Sequence, residues 1–301
     1  CKEIKNKNIF DFLKEAPPIC VQNPPPCPFK GGYVGWFGYE SGKDVPYTED
    51  SSKQMDSCLY QVDRYLAIHP VLERCILIQL GDKKDKDWFE HIMLTIHQLD
   101  KPYVTKKMSS IFSLEWIKNE QDYLSDISQC QTWIEEGQTY QVCLTNERQG
   151  ECDINTFDFY CQLRQKNKTR YSAFFKWENG AICSVSPEQF LNVNCEGFVQ
   201  TKPIKGTRPR SDNAKEDDAL KRQLLVSTKD AAENSMIVDL LRNDLSKVCE
   251  LGSVKVPRHH YIESYSNVHQ LVSTVVGQLS KDKSCFDLLE ATFPGGSITG
   301  I

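Results

Sequence analysis

The sequence predicts an α+β fold built from antiparallel strand pairs, not a doubly wound parallel sheet. Strand-like runs come in pairs joined by short turns, and helical runs stand between the pairs. No GxGxxG fingerprint and no internal repeat is present. With 301 residues, 40% of them hydrophobic, the chain can form one large domain or two modest ones around a sizeable core.

The elements follow in order. Residues 15–29, EAPPICVQNPPPCPF, are proline-rich and predict a linker or an extended arm. The glycines of GGYVGWFGYE allow a close backbone approach or a sharp bend between strands. Residues 58–70 and 74–81 alternate apolar and polar side chains and predict two paired strands. KKDKD (83–87) reads as a charged turn, 88–99 as a helix and 101–113 as a loop. A second block begins near Leu114, so the chain divides into 1–113 and 114–301. Residues 119–136 predict a helix, with Tyr123, Ile127, Cys130 and Ile134 recurring every three or four residues. Gly137 stops it. TYQVCLTNER (139–148) predicts a strand and 155–167 a helix. YSAFFKW and AICSVS are strands, and FLNVN and FVQTKPI flank CEG as a hairpin. Residues 229–248 predict a long helix and QLVSTVVGQL another strand.

Composition narrows the function classes. A net charge of −5 and a pI near 5.8 carry no nucleic-acid footprint. No apolar run approaches membrane-spanning length, and no signal peptide is visible. The first residue is Cys1, so the start of the gene product is expected upstream. Thirteen cysteines are an odd number, without a CxxC, mostly in apolar contexts. They predict reduced, largely buried thiols in a cytoplasmic protein, not a zinc site.

Four segments hold candidate chemistry. In TKPIKGTRPR, Lys205 sits between Ile204 and Gly206–Thr207, with Pro203 stiffening the approach. That context suggests an amine held in place: an ion-pair partner, or a nucleophile if burial and a nearby cation lower its pKa. In KDAAENSMIVDLLRNDLSKV, Met236, Ile237, Leu240, Leu241, Leu245 and Val248 make an apolar stripe. Glu233 falls in line with it, and a carboxylate facing a core needs a partner. Asp244 lies on the same line, roughly 16 Å further on. Glu188 follows a proline at a strand end, placed for acid–base work or simply for a solvated turn. FPGGSITG sets Gly296 ahead of Ser297 and Thr299, a segment able to turn backbone N–H groups toward an anion.

Taken together, YQVCLT, YSAFF, SPEQF, PIKGTRPR, KDAAENSMIVDLLRNDL, GSVKVP, LVSTVVGQL and FPGGSITG resemble, in order and spacing, the chorismate-utilising enzymes. The resemblance runs from about Gly31 to Ile301. It implies two large antiparallel sheets packed as a sandwich with helices outside, incomplete at both ends. Gln141 stands where water-using members carry a lysine base, which implies amination. Lys205 stands where anthranilate synthases have alanine, and PIKGT resembles the aminodeoxychorismate synthase branch. The resemblance therefore implies amination of chorismate at C4, with ammonia from a glutamine amidotransferase subunit or fused domain. Lys205 is then the covalent nucleophile and Glu188 the acid. Glu233 is a magnesium ligand. Gly206, Thr207, Gln141, His269, Gly296, Ser297 and Thr299 bind substrate. Anthranilate synthase component I, or a chain that binds chorismate without turnover, are the other readings.

The sequence also departs from the family pattern. Many relatives have histidine directly before LVS; here Gln270 stands there and His269 one residue earlier. Arg170 replaces a proline of a tryptophan pocket, so tryptophan binding is not expected. The family continues past SITG through a second magnesium-binding glutamate. The 301 residues alone are therefore expected to be inactive and poorly stable.

Overall fold

The computed structural model describes residues 9–16, 27–42, 57–81, 84–99, 101–105 and 113–300. Most of the proline-rich arm and most of the 101–113 loop lie outside them. The chain forms two compact units, Cys1–Val104 and Thr105–Ile301. All strand pairings among the described residues are antiparallel.

The first unit contains α1 (Ile9–Glu15), β1 (Gly32–Phe37), β2 (Ser57–Val62), β3 (Arg64–His69), β4 (Arg74–Gln79) and α2 (Lys86–His97). The expected strand at 58–70 is two strands. β2 pairs with β1, the chain bends at Asp63, and β3 pairs with β4. Apolar–polar alternation reports which face a side chain takes, not which strand lies alongside, so the change of partner left no mark on the pattern. Gly35 shows why this ribbon needs glycine: a Cβ there would lie 1.9 Å from the Cys58 carbonyl oxygen. Asp85, expected in a turn, instead caps α2 by accepting the Trp88 N–H at 3.0 Å. Phe10 is fully buried, its ring 5.6 Å from that of Phe37.

The second unit begins with β5 (Glu115–Trp116), α3 (Glu120–Glu135) and β6 (Arg148–Gln149). Asn119 caps α3 through the Asp122 N–H, and Gly137, at φ 72°, ends it. There the Gly137 and Gln138 N–H groups return to Ile134 and Trp133 carbonyls, closing the last turn. The apolar positions of α3 are less covered than expected; no residue in it is buried. TYQVCLTNER is not a regular strand. Val142 forms an isolated bridge to Gly300, and regular pairing begins only at Arg148 and Gln149, which pair with β5. Strand character needs a neighbouring strand, which local composition does not report.

Then come α4 (Thr156–Lys166), the hairpin β7 (Tyr171–Trp177) and β8 (Gly180–Ser186), and β9 (Gln189–Val193) with β10 (Phe198–Lys202). β11 (Ile204–Pro209), α5 (Ala214–Leu225), α6 (Thr228–Ser246), β12 (Lys255–Ser264), β13 (Val268–Gln278), α7 (Cys285–Thr292) and α8 (Gly296–Thr299) complete the unit. β13 is the spine of the five-stranded sheet. β10 and β11 pair along one edge and β12 along the other, with β9 outside β10. β12 was not anticipated, because Pro257 and two register shifts interrupt its alternation. α6 packs on the sheet through Ile237, Val238, Leu241 and Leu245, which meet Val199, Val275 and Leu288. Among the described residues, no helix is long and apolar enough to cross a membrane.

The described cysteines are all free, yet only Cys249 is buried, while Cys75, Cys143, Cys152, Cys195 and Cys285 are exposed. This corrects the expected burial. Cys75 sits in an apolar run, but its cross-strand partner Ile68 is itself 65% exposed.

Leu245 is fully buried in this core, whereas Leu251 is fully exposed. Leu245→Ala should cost about 2–5 kcal/mol, read as a lower denaturant midpoint. Leu251→Ala should stay within about 0.5 kcal/mol of the parent. Equal effects would mean that the helix–sheet interface is not the stabilising core.

Candidate active site

β11 positions the central lysine through an irregularity. Its pairing with β13 runs in register at Ile204–Val272 and again at Thr207–Gln270, with a shift between them. Lys205 and Gly206 occupy that bulge, where the ladder does not dictate side-chain direction. Gly206 has φ 89°, and a Cβ there would fall 2.8 Å from Asp230 Cβ and 2.9 Å from Leu224 Cδ1. Only glycine fits this close approach. Arg208 Nη2 donates to Asp230 Oδ2 at 2.9 Å, tying the strand beyond the bulge to the start of α6.

The bulge turns the Lys205 amine toward α8. Its Nζ donates to the Ser297 carbonyl oxygen at 2.9 Å. The Ser297 hydroxyl donates to Glu188 Oε1 at 2.8 Å, and the Ile204 N–H reaches the same oxygen at 3.2 Å. An amine, a hydroxyl and a carboxyl from segments 92 and 109 residues apart thus form one cluster. Burial pushes the Glu188 carboxyl above its usual range. The bonds from Ser297 and Ile204 and the Lys205 charge oppose that shift without cancelling it.

The remaining expected residues divide into two groups. Gly296 is buried against α6, where a Cβ would lie 2.0 Å from Leu240 Cδ2. Thr299 donates to the Gly300 carbonyl at 2.9 Å, and Gly300 packs on the Gln141 carbonyl with no room for a Cβ. Gln141 Oε1 is buried with no hydrogen-bond partner. Thr207 is exposed opposite Gln270. These residues gather on or beside α8 and β11. His269 does not join them. It is 2% exposed, its Nδ1 lies 2.7 Å from Ser264 Oγ and its Nε2 3.0 Å from Asp217 Oδ1. Strand alternation puts Gln270, not His269, on the face of Thr207. The Arg210 guanidinium holds the Asp217 carboxyl far below the usual carboxylate range.

Glu233 sits at the edge of the buried stripe, not in line with it. The fully buried polar side chain on α6 is its neighbour Asn234, in step with Ile237, Val238 and Leu241. The Glu233 carboxylate makes one long contact, 3.9 Å from exposed Lys229 Nζ. Asp244 is buried and paired with Lys247 at 2.8 Å. Arg170 lines a small pocket with Gln189, Lys202, Ile204, Glu263 and Tyr265, next to the cluster. Sequence reasoning missed Asn234, although a polar residue on an apolar helical stripe was a visible signal.

A family model described as chorismate binding enzyme matches residues 2–301. The chain belongs to the chorismate binding enzyme family. It is 35% identical to a chloroplastic aminodeoxychorismate synthase of Arabidopsis thaliana, over 99% of this chain and 35% of that one. It is 36% identical to aminodeoxychorismate synthase component 1 of Escherichia coli, over 91% of this chain and 59% of the relative. The chain thus spans about a third to three fifths of the length of these curated relatives. Anthranilate synthase component I of Streptococcus pneumoniae superposes with a TM-score of 0.84 at 26% identity, covering 99% of this chain and 68% of that one. The α+β class expected from the sequence is the class of this chorismate binding enzyme.

The raised Glu188 carboxyl makes stability depend on pH. Between the ordinary glutamate range and the raised value, the native state keeps a proton that the unfolded chain has released. The stabilisation is complete below the unfolded pKa, near about pH 4.3. It is lost as pH rises through the folded value. Glu188→Gln removes the titration. The parent should therefore lose stability relative to Glu188→Gln across that window, measured by urea unfolding at several pH values. A constant difference would show that the carboxyl is not raised.

Proposed function

We propose that this chain carries the chorismate-aminating centre of an aminodeoxychorismate synthase, converting chorismate and ammonia to 4-amino-4-deoxychorismate and water. The observation that carries the reading is the Lys205–Ser297–Glu188 cluster. It sets an amine beside a half-buried carboxyl that keeps its proton above the usual range.

The chemistry needs that pair. The C4 hydroxyl of chorismate leaves poorly as hydroxide, so Glu188 protonates it and water departs. As the C4–O bond breaks, the amine of Lys205 attacks C2 and both ring double bonds shift. Ammonia then bonds to C4, both double bonds shift back, and the C2–N bond to Lys205 breaks. The lysine recovers as an amine, the new C4 ammonium returns a proton to Glu188, and the net exchange is hydroxyl for amino. Gln141, with its unpaired buried oxygen beside α8, fits a donor on the incoming ammonia or on substrate. Gln270, buried opposite Thr207, takes the place assigned from sequence to His269. Thr207 and α8, with Gly206, Gly296, Ser297 and Thr299, bound the substrate.

Glu233 fits magnesium in donor type, since among the described residues its carboxylate oxygens hold only the long Lys229 contact. Magnesium also takes substrate oxygens and water, so one protein carboxylate is compatible with it. When bound, the ion would neutralise the ring carboxylate. Ammonia would come from a glutamine amidotransferase, in keeping with the name component 1 of the bacterial relative. Anthranilate synthase component I is the second reading, favoured by the structural likeness to the Streptococcus pneumoniae protein. Lys205 argues against it, because the PIKGT of this chain differs from the PIAGT of that branch at that one position.

With chorismate, ammonium and magnesium, Lys205→Ala should lower aminodeoxychorismate formation by at least about a hundredfold, as expected for loss of a nucleophile. The covalent adduct seen by intact-mass spectrometry should vanish with it. Anthranilate as the main product of the parent would overturn the assignment.

Glu233→Gln should raise the magnesium concentration needed for half-maximal chorismate binding by roughly tenfold or more. An unchanged magnesium midpoint would remove Glu233 from the ligand set.

A further inference from the structure

We propose that Asn234 is a positioning residue that fixes the backbone leading into Lys205 relative to the helix carrying Glu233. The proposal rests on the function given above. Asn234 is fully buried, which is costly for an amide unless its groups are paired. Its Nδ2 donates to the Pro203 carbonyl at 3.4 Å, and its Oδ1 accepts from the Ser273 hydroxyl. Ser273 in turn accepts the His260 N–H at 3.1 Å, and its own N–H donates to the Pro203 carbonyl at 3.2 Å. One carbonyl, just ahead of β11, is thus clamped from two sides by a polar network joining it to α6, β12 and β13.

The position of that carbonyl gives the network its consequence. Pro203 has no N–H to hold it in a ladder. One residue on, the Ile204 N–H bonds Glu188; two on, Lys205 enters the bulge where the ladder fails. The Pro203 clamp therefore fixes the backbone two residues before the amine, directly ahead of the Ile204–Glu188 bond. It is anchored on α6 at the residue next to Glu233. A small shift of the clamp would misalign the amine with a substrate held from α6, and misplacement on the order of 1 Å can cost about a hundredfold in rate.

Asn234→Leu supplies the test, since it keeps the side-chain size and removes both the donor to Pro203 and the acceptor from Ser273. Aminodeoxychorismate formation is measured over a range of chorismate concentrations, with the folded fraction followed by circular dichroism. In the folded variant kcat should fall roughly ten- to hundredfold, with KM for chorismate changed less than about threefold. A second readout needs no turnover. Acetic anhydride labelling, resolved by peptide mass spectrometry, should be at least about threefold faster at Lys205 in Ser273→Ala, and unchanged at exposed Lys229. If the parent makes no aminodeoxychorismate, the functional reading fails and the labelling decides the positioning role alone. Parent-like labelling of Lys205 in Ser273→Ala, or a parent-like kcat in folded Asn234→Leu, would overturn the proposal.

Discussion

One serine holds the site together. Ser297 accepts the lysine amine at its carbonyl and gives its hydroxyl to the glutamate, so an amine and a carboxyl meet through a single residue. Everything else in the second unit serves that meeting. α8 is only four residues long and cannot hold itself in place. It is seated by Gly296 against Leu240 and by Gly300 against the Gln141 backbone, both contacts too close for any side chain. The lysine arrives from β11 only because the ladder slips at the bulge, and the glutamate arrives from the turn between β8 and β9. A lysine and a carboxyl on neighbouring regular strands would form an ordinary ion pair. Burial raises the carboxyl instead, because the lysine binds a neutral carbonyl and leaves the acid to a hydroxyl and a backbone N–H.

The fold was legible where local periodicity and local pairing agree. The β7–β8 and β9–β10 hairpins, α4 and α6 stand within a few residues of their expected bounds, because turn residues and helical spacing were both present. TYQVCLTNER failed because its neighbour is Gly300, far away in sequence. The run at 58–70 was split because a period of two is blind to partner exchange at Asp63. β12 stayed hidden behind Pro257 and its bulges.

At the site, the neighbourhood of Lys205, Glu188 and Ser297 was anticipated through motifs, not through any local pattern. Three segments, each weak alone, converge only in three dimensions. The side-chain face was harder to read. His269 and Gln270 are adjacent, and only the strand register shows that the histidine is taken up by Ser264 and Asp217. Asn234 shows the converse: helical spacing marked its position as buried, but its partners Pro203 and Ser273 are 31 and 39 residues away.

The bulge has an evolutionary corollary. Lys205 and Gly206 are chain neighbours with opposite tolerance to change. The lysine projects from a stretch of backbone that other contacts define, so its identity can drift without disturbing the fold. Gly206 is pressed on Asp230 and Leu224 in a left-handed conformation, so any exchange there must be matched at two further positions. Chemistry at this site can therefore diversify in single steps at one residue while the adjacent one stays frozen. A short irregularity in one strand separates the part of the candidate site that is free to change from the part that packing holds fixed.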